Sequence, residues 1–174
     1  CCETGKKFMF SSGMASLEEI KNVLAVVSLS PIEEVTIMKC TSSYPTNLVD
    51  LNLSAIETLR NLAPNYKNLK LNVGLSDHSR SIPAILRAIH KYEASSIEIH
   101  IDIDKKGVEF AAGHCWLPEE IKVLKKFIDE GIASDGLNTI QPVGEELDER
   151  NWRADPSDGL RPLKKVRRTF RNGE

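Results

Sequence analysis

Two rhythms of apolar and polar positions alternate along the first 131 residues. Short apolar runs at residues 6–11, 35–40, 69–74 and 96–103 predict β-strands, each followed by apolar residues at helical spacing. Leu17, Ile20, Val23, Leu24 and Val27 make the first helical stripe. Ser16 and Glu19 open it as a capping box, each side chain satisfying the other's free backbone amide. Ile56, Leu59 and Leu62 make the second, where Ser54 and Glu57 predict another box and Pro64 the end of the helix. The third runs from Ile82 to Tyr92 with Pro83 in its first turn, where a missing amide costs little. Ile121, Leu124, Phe127 and Ile128 make the fourth, between Pro118 and Gly131.

The predicted strand ends, Ser11, Cys40, Gly74 and His100, are separated by 29, 34 and 26 residues. Four consecutive β/α units of that size imply a parallel sheet with right-handed crossovers. Two architectures satisfy this, an open doubly wound sheet or half of a (β/α)8 barrel, whose whole takes about 250 residues. In both, active residues gather at the C-terminal ends of strands. No glycine-rich dinucleotide fingerprint follows the first strand, which counts against the open cofactor-binding sheet. Residues 132–174 are polar, with turn signals at Asp135-Gly136, Asp155-Pro156 and Asp158-Gly159 and a basic run from Arg161 to Arg171. They predict an irregular basic extension or a terminal helix. The chain opens at Cys1, already on the approach to a strand, so the expectation is the later part of a longer polypeptide.

A length of 174 residues suits one ordinary domain, and 41% hydrophobic content is enough for a core. The net charge of −2 argues against a general nucleic-acid or membrane binder, and no apolar run is long enough to span a bilayer. Cys1, Cys2, Cys40 and Cys115 show no paired zinc spacing. A chain of this composition needs no disulfide staples, which predicts a reduced, cytoplasmic protein with Cys40 and Cys115 as buried or half-buried thiols.

Gly74-Leu75-Ser76-Asp77-His78 reads as a strand end opening into a polar site. On the following strand, alternation puts Ile97, Ile99, Ile101 and Ile103 on one face and Glu98, His100, Asp102 and Asp104 on the other. In a barrel the isoleucines pack on helices and Glu98 and His100 point inward, where polar groups need partners. The other reading is an edge strand with a solvated polar face. Ser76 and His78 share parity on a neighbouring strand about 4.8 Å away. His78 and His100 can therefore meet on one divalent metal, or each can be a hydrogen-bonded structural imidazole. Ser11 and Ser12 before Gly13, with a helix N-terminus behind, suit an anion such as phosphate or form a plain turn. His90 falls on a helix surface and His114 in a loop.

Four motifs in order resemble the N-acetylneuraminate (sialic acid) synthase family over residues 5–130. Phe10-Ser11-Ser12-Gly13-Met14-Ala15 is similar to its Ser-Thr-Gly-Met-Ala segment, and Cys40-Thr41-Ser42-Ser43-Tyr44-Pro45-Thr46 to its next strand end. Gly74-Leu75-Ser76-Asp77-His78-Ser79 resembles its Gly-(Leu/Tyr)-Ser-Asp-His-Thr motif, and Ile97-Glu98-Ile99-His100 its Ile-Glu-Lys-His. The resemblance implies a (β/α)8 TIM-type barrel of which residues 1–131 supply strands five to eight. Residues 132–174 are an extension in place of the family's antifreeze-like domain. That domain caps the partner subunit's site and supplies an Arg, for which Arg153 or Arg161 are the expected replacements.

The activity implied is a metal-dependent condensation of phosphoenolpyruvate with N-acetylmannosamine or a related amino-sugar aldehyde. The products are a nine-carbon α-keto sugar acid and phosphate. His78 and His100 would bind Mn²⁺ or Mg²⁺, and Ser11 and Ser76 would hold the phosphate end. Tyr44, Glu98 and Ser42, which stands where the family has Asn, would line the reacting centre. Glu98, Asp77 and Glu109 would contact the sugar, Glu109 replacing the Asp of the family's Gly-Pro-Asp. Ile99 stands where the family has Lys, and Gly113-His114-Cys115-Trp116-Leu117-Pro118 replaces its Ser-containing approach to the last helix. The full-length parent is expected to be a homodimer. Without strands one to four, the chain alone is expected to be inactive, with residues 8–11 and 97–101 as unpaired edges. The rival readings are a non-catalytic half-barrel that binds a phosphorylated sugar or a partner chain, and another metal-dependent (β/α)8 aldolase.

Overall fold

The computed structural model describes the backbone of residues 1–172 and the side chains of residues 1–170. Gly173, Glu174 and the side chain of Arg171, which belong to the predicted extension, lie outside the described residues. The chain divides into two compact units, Cys1–Ala133 and Ser134–Glu174.

In the first unit four parallel strands, β1 (Phe8–Ser11), β2 (Glu34–Cys40), β3 (Lys70–Asp77) and β4 (Ile97–Ile99), pair in the order β1-β2-β3-β4. Between them run α1 (Leu17–Ser28), α2 (Ala55–Arg60) and α3 (Ile82–His90), and after β4 come α4 (Val108–Ala111) and α5 (Pro118–Ser134). Each new strand adds on the same side of the last. A doubly wound sheet reverses at a switch point, whereas a barrel keeps adding in one direction, so this order is that of half a barrel.

Register and alternation divide the sheet into two faces. Phe8, Phe10, Val35, Ile37, Leu71, Val73, Leu75, Ile97 and Ile99 share one face and join Ile20, Leu24, Val27, Ile56, Leu59, Ile85, Ala88 and Leu124 of the helices in a single core. Leu24, Ile37, Ile56 and Ile85 are fully buried there, each contributing about 1.5–3 kcal/mol. The opposite face carries Ser11, Met38, Cys40, Gly74, Ser76 and Glu98.

The α1 capping box forms: Glu19 N donates to Ser16 Oγ at 3.3 Å and Ser16 N to Glu19 Oε2 at 2.7 Å. The box expected at Ser54 does not. Asn52 takes a left-handed backbone, and Ser54 turns its hydroxyl to Asn52 Oδ1 at 3.1 Å instead of capping α2. Nor does β3 end at Gly74. It continues to Asp77 because Cys40↔Ser76 and Asp77↔Ile99 extend its ladders on both sides. Gly74 is a point of close approach, where a Cβ would lie 2.6 Å from both Met38 Sδ and the backbone oxygen of Ser96.

The alternation read for residues 96–103 holds only through His100. Beyond it Asp102 captures the turn, its Oδ1 accepting from Asp104 N and Lys105 N and its Oδ2 from Gly107 N. Ile101 and Ile103 are therefore exposed and not packed on helices. The end of β4 is also not a bare edge. Ile101 forms a parallel bridge with Trp116, and β1 alone of the two outer strands has no added partner among the described residues.

In the second unit are α6 (Glu146–Glu149) and α7 (Lys164–Asn172), the latter formed from the basic run. Asp155 starts α7, with Oδ2 accepting from Lys164 N at 2.6 Å and Oδ1 from Ser157 Oγ at 2.6 Å and Ser157 N at 2.9 Å. The bond from the Ser157 hydroxyl, then those from the amides, hold its carboxyl down to about 2.

Two outcomes follow from these contacts. Gly74→Ala should destabilise the first unit by about 1–3 kcal/mol, because the Ser96 carbonyl is backbone and cannot swing aside; thermal denaturation measures it. Asp155 has its folded-state value below the usual 3.8. Its contribution to the second unit is therefore complete above that value and is lost as pH falls through about 2. Asp155→Ala should accelerate amide exchange at Lys164 at neutral pH and leave β3 amides unchanged.

Candidate active site at the strand ends

Every strand of a parallel sheet ends on the same side, so the residues just past β2, β3 and β4 gather there. His78 follows β3 directly and is 3% exposed. Its Nδ1 lies 2.9 Å from Thr41 O. A carbonyl only accepts, so Nδ1 carries a proton, which in the neutral ring leaves the lone pair on Nε2. The His78 carbonyl in turn accepts from Thr46 N at 3.0 Å, which clasps the loop after β2 to the end of β3.

That clasp brings Tyr44 over the histidines. Its ring centroid is 4.3 Å from that of His78, 5.7 Å from His100 and 5.0 Å from His114. His78 and His100 are 5.0 Å apart, and His100 and His114 are 4.9 Å apart. His100 Nδ1 lies 3.1 Å from Glu109 Oε2, and Ser76 Oγ donates to Glu98 Oε1 at 2.7 Å.

The remaining expected residues lie apart from these rings or are engaged elsewhere. Ser11 is exposed and its Oγ accepts from Gly13 N at 3.2 Å. Its neighbour Ser12 is buried, its Oγ accepting from Cys40 N. The N-terminus of α1 is answered by its own Glu19 carboxylate. Ser42 lies near the β1–α1 turn, its Oγ 3.6 Å from where a Cβ on Gly13 would sit. Asp77 is fully buried. Its Oδ1 accepts from Ser79 N and Ser79 Oγ and its Oδ2 from Arg80 N. It therefore shapes the turn beneath the site and presents no oxygen to a sugar.

His114 and Cys115 are the residues that sequence reasoning passed over, one as a loop histidine and the other as an ordinary buried thiol. They arrive because the chain after α4 returns along β4: Trp116 N donates to His100 O at 2.7 Å and Asp102 N to Trp116 O at 2.9 Å. A strand-like run between Gly113 and Pro118 was the available signal. Burial, then the nearby His100, holds the His114 imidazole below its ordinary range, with Glu109 opposing. Burial, then the charges of Glu109 and Asp102, pushes the Cys115 thiol up. Glu120 anchors this segment, its Oε2 accepting from Leu117 N at 2.8 Å while Oε1 pairs with Arg80, whose guanidinium lies over Trp116.

Comparison with known proteins agrees with the geometry. Residues 1–138 match the model of the NeuB family. The chain belongs to the NeuB family. An N,N'-diacetyllegionaminic acid synthase of Campylobacter jejuni is 35% identical over 123 residues, covering 68% of this chain and 34% of the relative. A pseudaminic acid synthase of the same species is 33% identical over 100 residues, 58% of this chain and 27% of the relative. The crystal structure of an N-acetylneuraminic acid (sialic acid) synthetase from Leptospira borgpetersenii, in complex with citrate, superposes with a TM-score of 0.60 at 30% identity. It covers 83% of this chain and 48% of that one. The NeuB segment thus spans about a third of the curated relatives it matches.

Glu120→Ala removes the acceptor of both Arg80 and Leu117 N. Hydrogen bonds to charged groups contribute about 1.5–3 kcal/mol, so this variant should lower the melting temperature and speed amide exchange at Leu117, as hydrogen-exchange mass spectrometry would record.

Proposed function

We propose that this chain supplies part of the active site of a synthase that condenses phosphoenolpyruvate with an N-acetylated amino-sugar aldehyde, N-acetylmannosamine or a relative. C3 of phosphoenolpyruvate forms the new carbon–carbon bond, and phosphate is released with a nine-carbon α-keto sugar acid. The observation that carries this reading is the meeting of Tyr44, His78 and His100 beside the Ser76–Glu98 pair at one edge of the sheet.

His78 and His100 would give two imidazoles to a divalent cation, Mn²⁺ or Mg²⁺, whose remaining positions take oxygen ligands. His78 has its Nε2 lone pair free, and the two rings are 5.0 Å apart. Such a cation supplies Lewis acidity, polarising the aldehyde oxygen. The chain's own residues bind and orient. Glu98, steadied by Ser76, accepts from sugar hydroxyls. Tyr44 closes one side of the histidines, and Glu109 holds the His100 ring. Ser11 offers a hydroxyl to the phosphate end, as Ser42 does to the reacting centre. Ser76 can hold a phosphate oxygen only by turning its proton from Glu98. We also infer that the protein acts in the cytoplasm, supported by its four free thiols, and that the full-length parent is a homodimer.

The one-sided pairing of β1 favours a second reading, a non-catalytic half-barrel that closes against another chain. An assay separates the two. Phosphate release from phosphoenolpyruvate should require both the amino sugar and the metal in the polypeptide that carries barrel strands one to four together with this chain, and should be absent from the 174-residue chain alone. His100→Ala should reduce the rate more than about a hundredfold, since Lewis-acid stabilisation is worth several kcal/mol and each 1.4 kcal/mol is about tenfold. Undiminished turnover in that variant would refute the role given to His100.

A further inference from the structure

His114 is 4% exposed, yet its Nδ1 has no hydrogen-bond partner. A buried polar atom left unmatched costs about 1–3 kcal/mol, so this nitrogen calls for a ligand. The same imidazole belongs to a cluster with three further donors. One ligand atom from each of His100, Glu109, His114 and Cys115 lies within 4.8 Å of the others. Cys115 is 2% exposed, with Sγ 4.0 Å from Glu109 Oε2.

The backbone builds this group. The Trp116–His100 and Asp102–Trp116 bonds set residues 114–115 alongside His100, and the Asp102 turn returns the chain so that Glu109 on α4 reaches the same point. We propose that His100, Glu109, His114 and Cys115 form a binding site for a thiophilic divalent cation of the Zn²⁺ class. Two imidazoles, a carboxylate and a thiolate are a borderline-soft, four-donor set that suits Zn²⁺ or Co²⁺, whereas Mg²⁺ and Mn²⁺ favour oxygen ligands. Bond lengths of about 2.0–2.3 Å place tetrahedral ligand atoms about 3.3–3.8 Å from one another. The four side chains therefore need to draw in by about 1 Å on binding. Cys115 enters as thiolate and releases its proton to solvent.

The site itself stands without the proposed reaction, whereas its consequence for the harder metal rests on the His78–His100 reading given above. It shares His100 with the His78 pair, so a thiophilic cation seated here withdraws that ligand from the Mn²⁺ or Mg²⁺ position. Zinc would then act as an antagonist of the harder metal.

Co²⁺ titration of the full chain carrying Cys1→Ser and Cys2→Ser, which removes the two accessible thiols, tests the site by spectrum and not by turnover. The expected result is one equivalent bound, with the visible bands of tetrahedral Co²⁺ and a near-ultraviolet sulfur-to-cobalt charge-transfer band. Cys115→Ser should abolish the charge-transfer band, Cys40→Ser should keep it, and His114→Gln should weaken binding at least about tenfold. X-ray absorption on the Zn²⁺-loaded chain with Cys115 intact should give one sulfur at about 2.3 Å and a nitrogen/oxygen remainder. That measurement decides the matter should Cys115→Ser fail to fold. A shell of nitrogen and oxygen alone, or a charge-transfer band that survives Cys115→Ser, would overturn the proposal.

Discussion

The two-sided hydrogen bonding of β3 is the constraint on which the rest depends. At Leu75 and Ser76 this strand is paired on both edges, with β2 on one side and β4 on the other, and Asp77 continues the ladder with β4. Parallel pairing points all three strands the same way, and the register Cys40↔Ser76 and Asp77↔Ile99 brings their ends to one level, so their following loops share one edge. Gly74 permits the closeness, because any side chain there would strike Met38 and the Ser96 carbonyl. That close approach lies just below the level from which Ser76, His78 and Glu98 are presented.

Above the ladder, a second set of backbone bonds converts a row of strand ends into a cluster. Thr46 N to His78 O carries Tyr44 across β3, and Trp116 N to His100 O carries His114 and Cys115 back along β4. Neither contact belongs to the sheet proper. Each joins segments well separated in sequence, and together they assemble an aromatic and imidazole group from three different loops. Arg80 and Glu120 lock the second of these segments to the start of α5. The candidate site thus rests on loops held by a few long-range bonds over a ladder held by many.

The elements were largely legible in the residues. Short apolar runs marked the four strands, helical stripes marked the long helices, and the capping box at Ser16 and Glu19 was readable from identity and spacing alone. Its counterpart at Ser54 was not, because a left-handed Asn52 redirected the serine and nothing local announces that turn. The limit of β3 was misjudged for a related reason. Gly74 carries the composition of a strand end, but partners on both sides extend the strand through it. His78, His100 and Tyr44, expected at strand ends, come together in the structure, whereas Asp77 has the right chemistry and is turned inward by Ser79 and Arg80.

What the sequence determined by itself was local and periodic: which segments are strands, which faces are apolar, and which polar residues stand at strand ends. Those properties follow from side-chain spacing, which needs no knowledge of distant partners. The tertiary structure decided that the strands add in one direction, as in a barrel. It ended the alternation beyond His100 by giving Asp102 to a turn, and it brought His114 and Cys115 beside His100 and Glu109. Each of these depends on hydrogen bonds or contacts between segments whose separation along the chain carries no signature in the residues between them.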